Sequence, residues 1–281
     1  MNIIDVFLEN LTVKKILSFL EEKKDFFVIN SSFNVNILLA SLLFLKQEKT
    51  VFYVASNLYK ASLAYEALCN LLGMEKVNFY VIDEVLAIEA LATSGEFLKE
   101  RLFTVNNILE GNKQIIVTHP NALLRPLHSK QIINENIIKI KKNAELNLTN
   151  VLKKLPILGY KKTPLTQNIG EYSLRGGVLD VFPINMSKPI RIDLFDIEVE
   201  YIKEYDPISQ LTNKELNEVT IYPLSELLYE NPQEIIDKIK SDYFENPLLS
   251  NEMSDLENYD NTERLHKYIA YIDKNLNSII D

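Results

Sequence analysis

Two periodicities alternate along the first part of the chain. Apolar residues recur at helical spacing in "IIDVFLENLTVKKILSFLEEKK", which predicts an opening helix. "FFVIN" (26–30) then reads as a strand and "NVNILLASLLFLKQE" (34–48) as a helix. The alternation continues with strand "TVFYVAS" (50–56), helix "LYKASLAYEALCNLLG" (58–73) and strand "KVNFYVI" (76–82). Helix "SGEFLKERLFTVNNILEG" (94–111), capped by Ser94, and strand "QIIVTH" (114–119) complete the series. Buried-type strands separated by helices predict parallel βαβ units, and so an α/β domain over 1–127.

The pattern then changes. "IINENIIKIKKNAEL" is strand-like and "LTNVLKKLPILGY" is helical. From Lys161 to Tyr205 the segments "GEYSLRG", "GVLDVFP", "PIRIDLF" and "IEVEYIKEY" alternate between turn residues, as antiparallel strands do. A second, α+β domain is expected over 128–210. "DPISQLTNKELNEVTIYPL" reads as a linker and a strand. From Pro232 onward the pattern is helical in "PQEIIDKIKSDYF" and "NTERLHKYIAYIDKNLNSIID", with the polar "NPLLSNEMSDLENYDN" as a loop between them.

Glycine is scarce, yet Gly170, Gly176 and Gly177 account for three of the seven in the chain. A Gly-Gly pair between apolar strands predicts a hairpin, because tight hairpin turns need positive φ. Alternation in "VLDVFP" puts Val178, Asp180 and Phe182 on one face and Leu179 and Val181 on the other. Arg175 sits at the turn. On the residues alone it reads as the solvated arginine of a structural hairpin.

With 281 residues and 47% hydrophobic positions, the chain can bury a substantial core over two or three domains. The formal charge of −9 argues against a nucleic-acid clamp made of the whole chain, though a local basic face remains compatible with it. The lone Cys69 reads as a small core residue and favours a reducing, cytoplasmic compartment. No apolar run long enough for a membrane helix occurs, and "MNIIDVFLEN" is not a signal peptide.

Catalytic chemistry is not signalled. A phosphate loop belongs after the first strand, but "FFVINSSFNVNILLA" contains neither glycine nor lysine, and no Gly-Lys pair occurs anywhere. Ser31 and Ser32 read as helix caps, and Asp83 and Glu84 in "VIDEV" as a loop or helix start. His119, His128 and His266 are scattered, and a single cysteine makes zinc implausible. No catalytic residue, cofactor or metal is expected.

One stretch carries a specific resemblance. "GEYSLRGGVLDVFPINMSKPIRIDLFDIEVEYIKEYDPISQ" resembles the module shared by the excision-repair helicase UvrB and the transcription-repair coupling factors. The pattern is Gly-(Glu/Thr)-(Phe/Tyr)-x-x-Arg-Gly, apolar-Asp-apolar-Phe-Pro, then Arg-x-(Asp/Glu)-x-Phe. "SNLYKASLAYEALCNLLG" and "DEVLAIEALATSGEFLKERL" resemble the coupling-factor side of the family, as does the missing phosphate loop.

The resemblance implies an α/β fold: a parallel-sheet, P-loop-like domain of degenerate helicase type (1–127), an inserted α+β antiparallel-sheet domain (128–210) and a helical return segment (211–281), with the chain ending inside this third part. It also implies a non-catalytic fragment that docks UvrA, the damage-recognition ATPase, while RNA polymerase and double-stranded DNA are bound by domains without counterpart here. By motif position the docking residues fall on Arg175, Asp193 and Lys162, with Ser173 and Lys162 standing where UvrB has arginines. Arg191 can dock too, or pair with an acidic neighbour in its own sheet, and Asp193 can hold Arg191 or Lys188. The competing reading is a part of an ATP-driven translocase that handles nucleotide or DNA.

Overall fold

The computed structural model describes residues 3–22, 31–47, 49–83, 95–242, 249–260 and 262–281. The chain forms two compact units, Met1–Glu89 with Asn107–Leu124, and Ala90–Asn106 with Arg125–Asp281.

In the first unit the expected opening helix is two helices, α1 (Ile3–Leu8) and α2 (Leu11–Glu21). The break falls at Asn10, whose side chain accepts from the Thr12 N–H at 2.9 Å and so starts a new helix. The expected strand 26–30 lies outside the described residues. Helix α3 (Phe33–Gln47) begins after Ser32, whose Oγ accepts from the Val35 N–H at 3.4 Å. Then come β1 (Val51–Val54), α4 (Leu58–Leu72), β2 (Val77–Tyr80), α5 (Gly95–Leu109), β3 (Ile115–Thr118) and α6 (Pro120–Leu123). Helix α5 passes from the second unit to the first after Asn106. Among the described residues β1 and β2 flank β3, both parallel to it. Every residue of β2 and β3 is buried, which is why these strands are continuous apolar runs rather than alternating ones.

The second unit continues with α7 (Lys130–Glu135), β4 (Ile138–Lys141) and α8 (Leu148–Ile157). The strand expected across "IINENIIKIKKNAEL" is therefore half helix. The Asn136 side chain donates to the Ile132 carbonyl at 2.9 Å and closes α7, and alternation starts only afterwards, with Ile138 and Ile140 inward. Strands β5 (Lys161–Lys162), β6 (Glu171–Arg175), β7 (Val178–Val181), β8 (Ile190–Phe195), β9 (Glu198–Tyr205) and β10 (Thr212–Leu216) form one sheet in the order β10-β9-β8-β7-β6-β5. All neighbours are antiparallel except β5 and β6. Strand β11 (Glu218–Ile221) pairs with β4. The expected linker thus supplies β10, an edge strand with four exposed residues, whose polarity hides it in the sequence.

One face of this sheet is the core. Leu179, Val181, Ile190, Ile192, Val199 and Ile202 pack against Ile138, Ile140, Val151, Leu155 and Leu158. Each such side chain contributes roughly 1.5–3 kcal/mol by leaving water. A separate apolar cluster joins α9 (Pro232–Asp242), α10 (Leu249–Asn258) and α11 (Ile269–Ile272). Helix α10 occupies Leu249–Asn258 of the expected loop 246–261: Met253 and Leu256 are buried and Leu249 packs beside them, a stripe too thin to stand out among polar neighbours. No helix among the described residues is long and apolar enough to cross a membrane.

Candidate docking face

The hairpin opens the site. Gly176, at φ 62, takes the left-handed turn position, and at Gly177 a Cβ would lie 3.2 Å from the Leu194 carbonyl oxygen, a close approach that favours glycine. The turn fixes the register of β6 on β7, and alternation then sends Leu179 and Val181 to the core and Asp180 to the other face. Register carries this outer face across the sheet in rungs. Ser173 stands opposite Asp180, Asp180 opposite Arg191, Arg191 opposite Lys203, and Lys203 opposite Glu215. The next rung reads Arg175, Val178, Asp193, Tyr201.

Asp180 is the hub. Its side chain is 1% exposed and accepts three charge-assisted bonds. Arg191 donates from Nε to Oδ1 at 2.8 Å and from Nη2 to Oδ2 at 2.9 Å, and Arg175 donates from Nη2 to Oδ2 at 2.8 Å. A buried carboxylate is tolerable only with such pairing. The bond to Asp180 raises the pKa of Arg191, whose guanidinium lies 4.5 Å over the Tyr205 ring and also donates to the Gln210 side chain at 3.1 Å. Burial, with the Asp180 charge beside it, pushes the Tyr205 phenol up to about 12. Its hydroxyl donates to the Thr166 carbonyl at 3.0 Å. Arg191 and Lys203 are like charges directly opposite each other, an arrangement that destabilises a sheet by itself. Asp180 and Glu215 flank the two cations, and the Lys203 ammonium sits 4.0 Å from the Tyr201 ring centroid.

The expected docking residues differ in placement. Arg175 is 51% exposed and spends only Nη2, so its other donors have no partner among the described residues. Asp193 is half-buried on the same rung and makes no hydrogen bond or ion pair among the described residues. The carboxylate that holds Arg191 is therefore Asp180, not Asp193. Lys162 is exposed on β5 at the sheet edge, beside Lys161, which pairs with Asp260 at 3.0 Å. Ser173, on the outer face opposite Asp180, is 2% exposed and accepts from Thr166 Oγ1 at 3.2 Å. The sequence placed Asp180 on this face but not as its buried hub, and it gave no role to Tyr205 or to Phe195, 75% exposed at the end of β8. The signal for Phe195 was available: it shares alternation with Arg191 and Asp193, so it is an aromatic residue on the polar side of a strand.

Residues 138–227, which contain this whole sheet, match the family model of the UvrB interaction domain. A transcription-repair-coupling factor from Staphylococcus aureus is 28% identical over 189 residues, which cover 67% of this chain and 16% of its own length. The Bacillus subtilis protein of that name is 26% identical over 250 residues, covering 83% of this chain and 21% of its own. This chain resembles the UvrB-like, N-terminal region of the transcription-repair coupling factors. It spans only 16% to 21% of the length of these coupling factors. The matched domain holds Lys162, Ser173, Arg175, Asp180, Arg191 and Asp193 together.

The histidines serve the backbone. His119 Nε2 lies 3.1 Å from the Ile82 carbonyl, His128 Nε2 accepts from the Leu228 N–H at 3.1 Å, and His266 Nε2 donates to the Pro126 carbonyl at 2.9 Å. Among the described residues no group of three or more His, Cys, Asp or Glu is arranged to hold a metal ion.

Proposed function

We propose that this chain is a non-catalytic docking module of a transcription-repair coupling factor, and that the outer face of its six-stranded sheet binds UvrA. In this reading UvrA, and with it nucleotide excision repair, is recruited to an RNA polymerase stalled at a lesion. Polymerase and double-stranded DNA are bound by parts of the coupling factor without counterpart here. Arg175, Asp193, Lys162 and Ser173 are the contact residues, with Ser173 the most buried of them. The division into a degenerate P-loop-like domain (1–127), the docking domain (128–210) and a return segment (211–281) belongs to the same proposal.

The observation that carries the reading is Arg175. It is half exposed and has unspent donors among the described residues, on a rung that also holds Asp193, a carboxylate with no hydrogen bond or ion pair among them, inside the span matching the UvrB interaction domain. Arginine offers a planar fork suited to a partner carboxylate. The experiment is the affinity of the whole chain for UvrA, with and without Arg175→Ala. Loss of a central charge-assisted contact costs on the order of 2 kcal/mol, a roughly thirtyfold weaker complex. Arg175→Lys binds poorly as well, since lysine keeps the charge and loses the fork. Binding equal to the parent for both variants refutes the reading. The translocase alternative is tested by titrating ATP: with no glycine or lysine in "INSSFNVN", saturable binding at micromolar concentration is not expected.

A further inference from the structure

We infer that Asp180 is a positioning residue for docking: it holds Arg175 in one orientation at the sheet surface, so that the free edge of the guanidinium meets a carboxylate of an acidic partner. The inference rests on the docking reading above and adds to it the residue through which Arg175 acts.

Arg175 is the last residue of β6, next to a glycine turn, and half of its side chain is in solvent. An arginine in that position ordinarily samples many rotamers, and binding has to remove that freedom. Here the freedom is already removed from below. Tyr205 and Gln210 hold Arg191, Arg191 grips both oxygens of Asp180, and Asp180 Oδ2 takes Arg175 Nη2 at 2.8 Å. Order passes from a buried tyrosine to an exposed arginine through one carboxylate.

The two arginines divide the work. Arg191 is 19% exposed and spends Nε and Nη2 on Asp180, with Gln210 taking what remains, so it anchors the hub. Arg175 spends one N–H of Nη2, so both hydrogens of Nη1 and the second of Nη2, which form the outer edge of the guanidinium, have no partner among the described residues. Asp193 adds its own charge on the same face, so what the cluster offers a carboxylate is the exposed donors of Arg175 rather than a net positive charge. Without Asp180 the arginines repel each other and Arg175 swings into solvent. Its diagonal position across β6 and β7, two residues beyond Ser173, is what brings it within reach of Asp180.

A double-mutant cycle on the whole chain tests this, with UvrA affinity measured for Asp180→Asn, Arg175→Ala and the pair. Asp180→Asn is expected to bind on the order of tenfold more weakly, by restoring side-chain freedom that binding must then remove. The pair is expected to bind no more weakly than Arg175→Ala alone, because Asp180 acts through Arg175. Additive losses overturn the inference. So does parental affinity for Asp180→Asn when Arg175→Ala binds weakly. Parental affinity for Arg175→Ala instead sinks the docking reading itself, which keeps the two failures apart. If Asp180→Asn loses its cooperative melt, the parent chain decides. Nitrogen NMR of the free protein is expected to show hindered rotation of the Arg175 guanidinium, as for Arg191, and fast rotation of Arg175 overturns the inference.

Discussion

Arg101, on α5, grips Glu226 from both sides of its carboxylate: Nε donates to Oε1 at 2.8 Å and Nη2 to Oε2 at 2.9 Å. Their side chains are 1% and 2% exposed. Arg125 and Glu263 complete the cluster. Burial raises the Glu226 pKa, but the two arginines outweigh it and hold the carboxyl well below the usual range. Burial likewise lowers Arg101, and Glu226 more than reverses it. Breaking one partner out of a buried pair leaves an uncompensated charge. Glu226→Gln is therefore expected to cost roughly 3–5 kcal/mol in urea unfolding. Glu263→Gln, at the more exposed end, is expected to cost clearly less. Equal small losses for both show that the cluster is not a structural lock.

Acid weakens the same unit through a histidine. Burial, then the Arg125 charge, lowers the His266 pKa from 6.5 to about 4. The folded state therefore favours the neutral ring, and below pH 6.5 the unfolded chain takes up a proton that the folded chain refuses. Stability is full above the unfolded pKa and falls as the pH drops towards 4, by at most ~3 kcal/mol. His266→Gln retains a side-chain donor for the Pro126 carbonyl and is expected to flatten the melting temperature between pH 6.5 and 4 relative to the parent. An unchanged slope assigns the loss to other groups, His128 first, whose pKa burial also lowers.

Asp193 separates binding from folding. With no hydrogen bond or ion pair of its own among the described residues, its removal leaves no partner stranded. Asp193→Ala is expected to shift stability by less than ~0.5 kcal/mol, as ordinary surface changes do, while lowering UvrA affinity. Calorimetry and a binding titration on the same sample check both halves, and a large early melt counts against the free-carboxylate reading.

The turn that sets the register is testable at Gly176. Its φ of 62 is strained for any residue with a Cβ, although open space surrounds it. Gly176→Ala is expected to cost about 1 kcal/mol from backbone conformation alone. Gly176→Asn, which tolerates the left-handed region better, is expected to recover part of it. Denaturant midpoints of the three chains give the order.

Much of the six-stranded sheet could be read along the chain. "SLRGGVLDV" contains its own hairpin turn, and period-two alternation assigned Leu179 and Val181 to one face and Asp180 to the other before any packing was known. These are local effects: φ at a glycine and the pleat of a strand act over neighbouring residues. Burial of a polar side is not local. An aspartate on the polar side of a strand reads as solvated, and Asp180 is buried only because Arg191, Tyr205 and Thr166 come to it from elsewhere in the domain. Arg101 reads as one more charge on a helix face, and its partner Glu226 lies 125 residues away. Strand β10 and helix α10 were missed for a related reason, since their sparse apolar positions count only against the sheet edge and the helices they join. Alternation and turn chemistry thus determined which residues could share a face, and the meeting of distant strands decided which of them are buried, which are paired, and that Arg175 on this face keeps donors to offer.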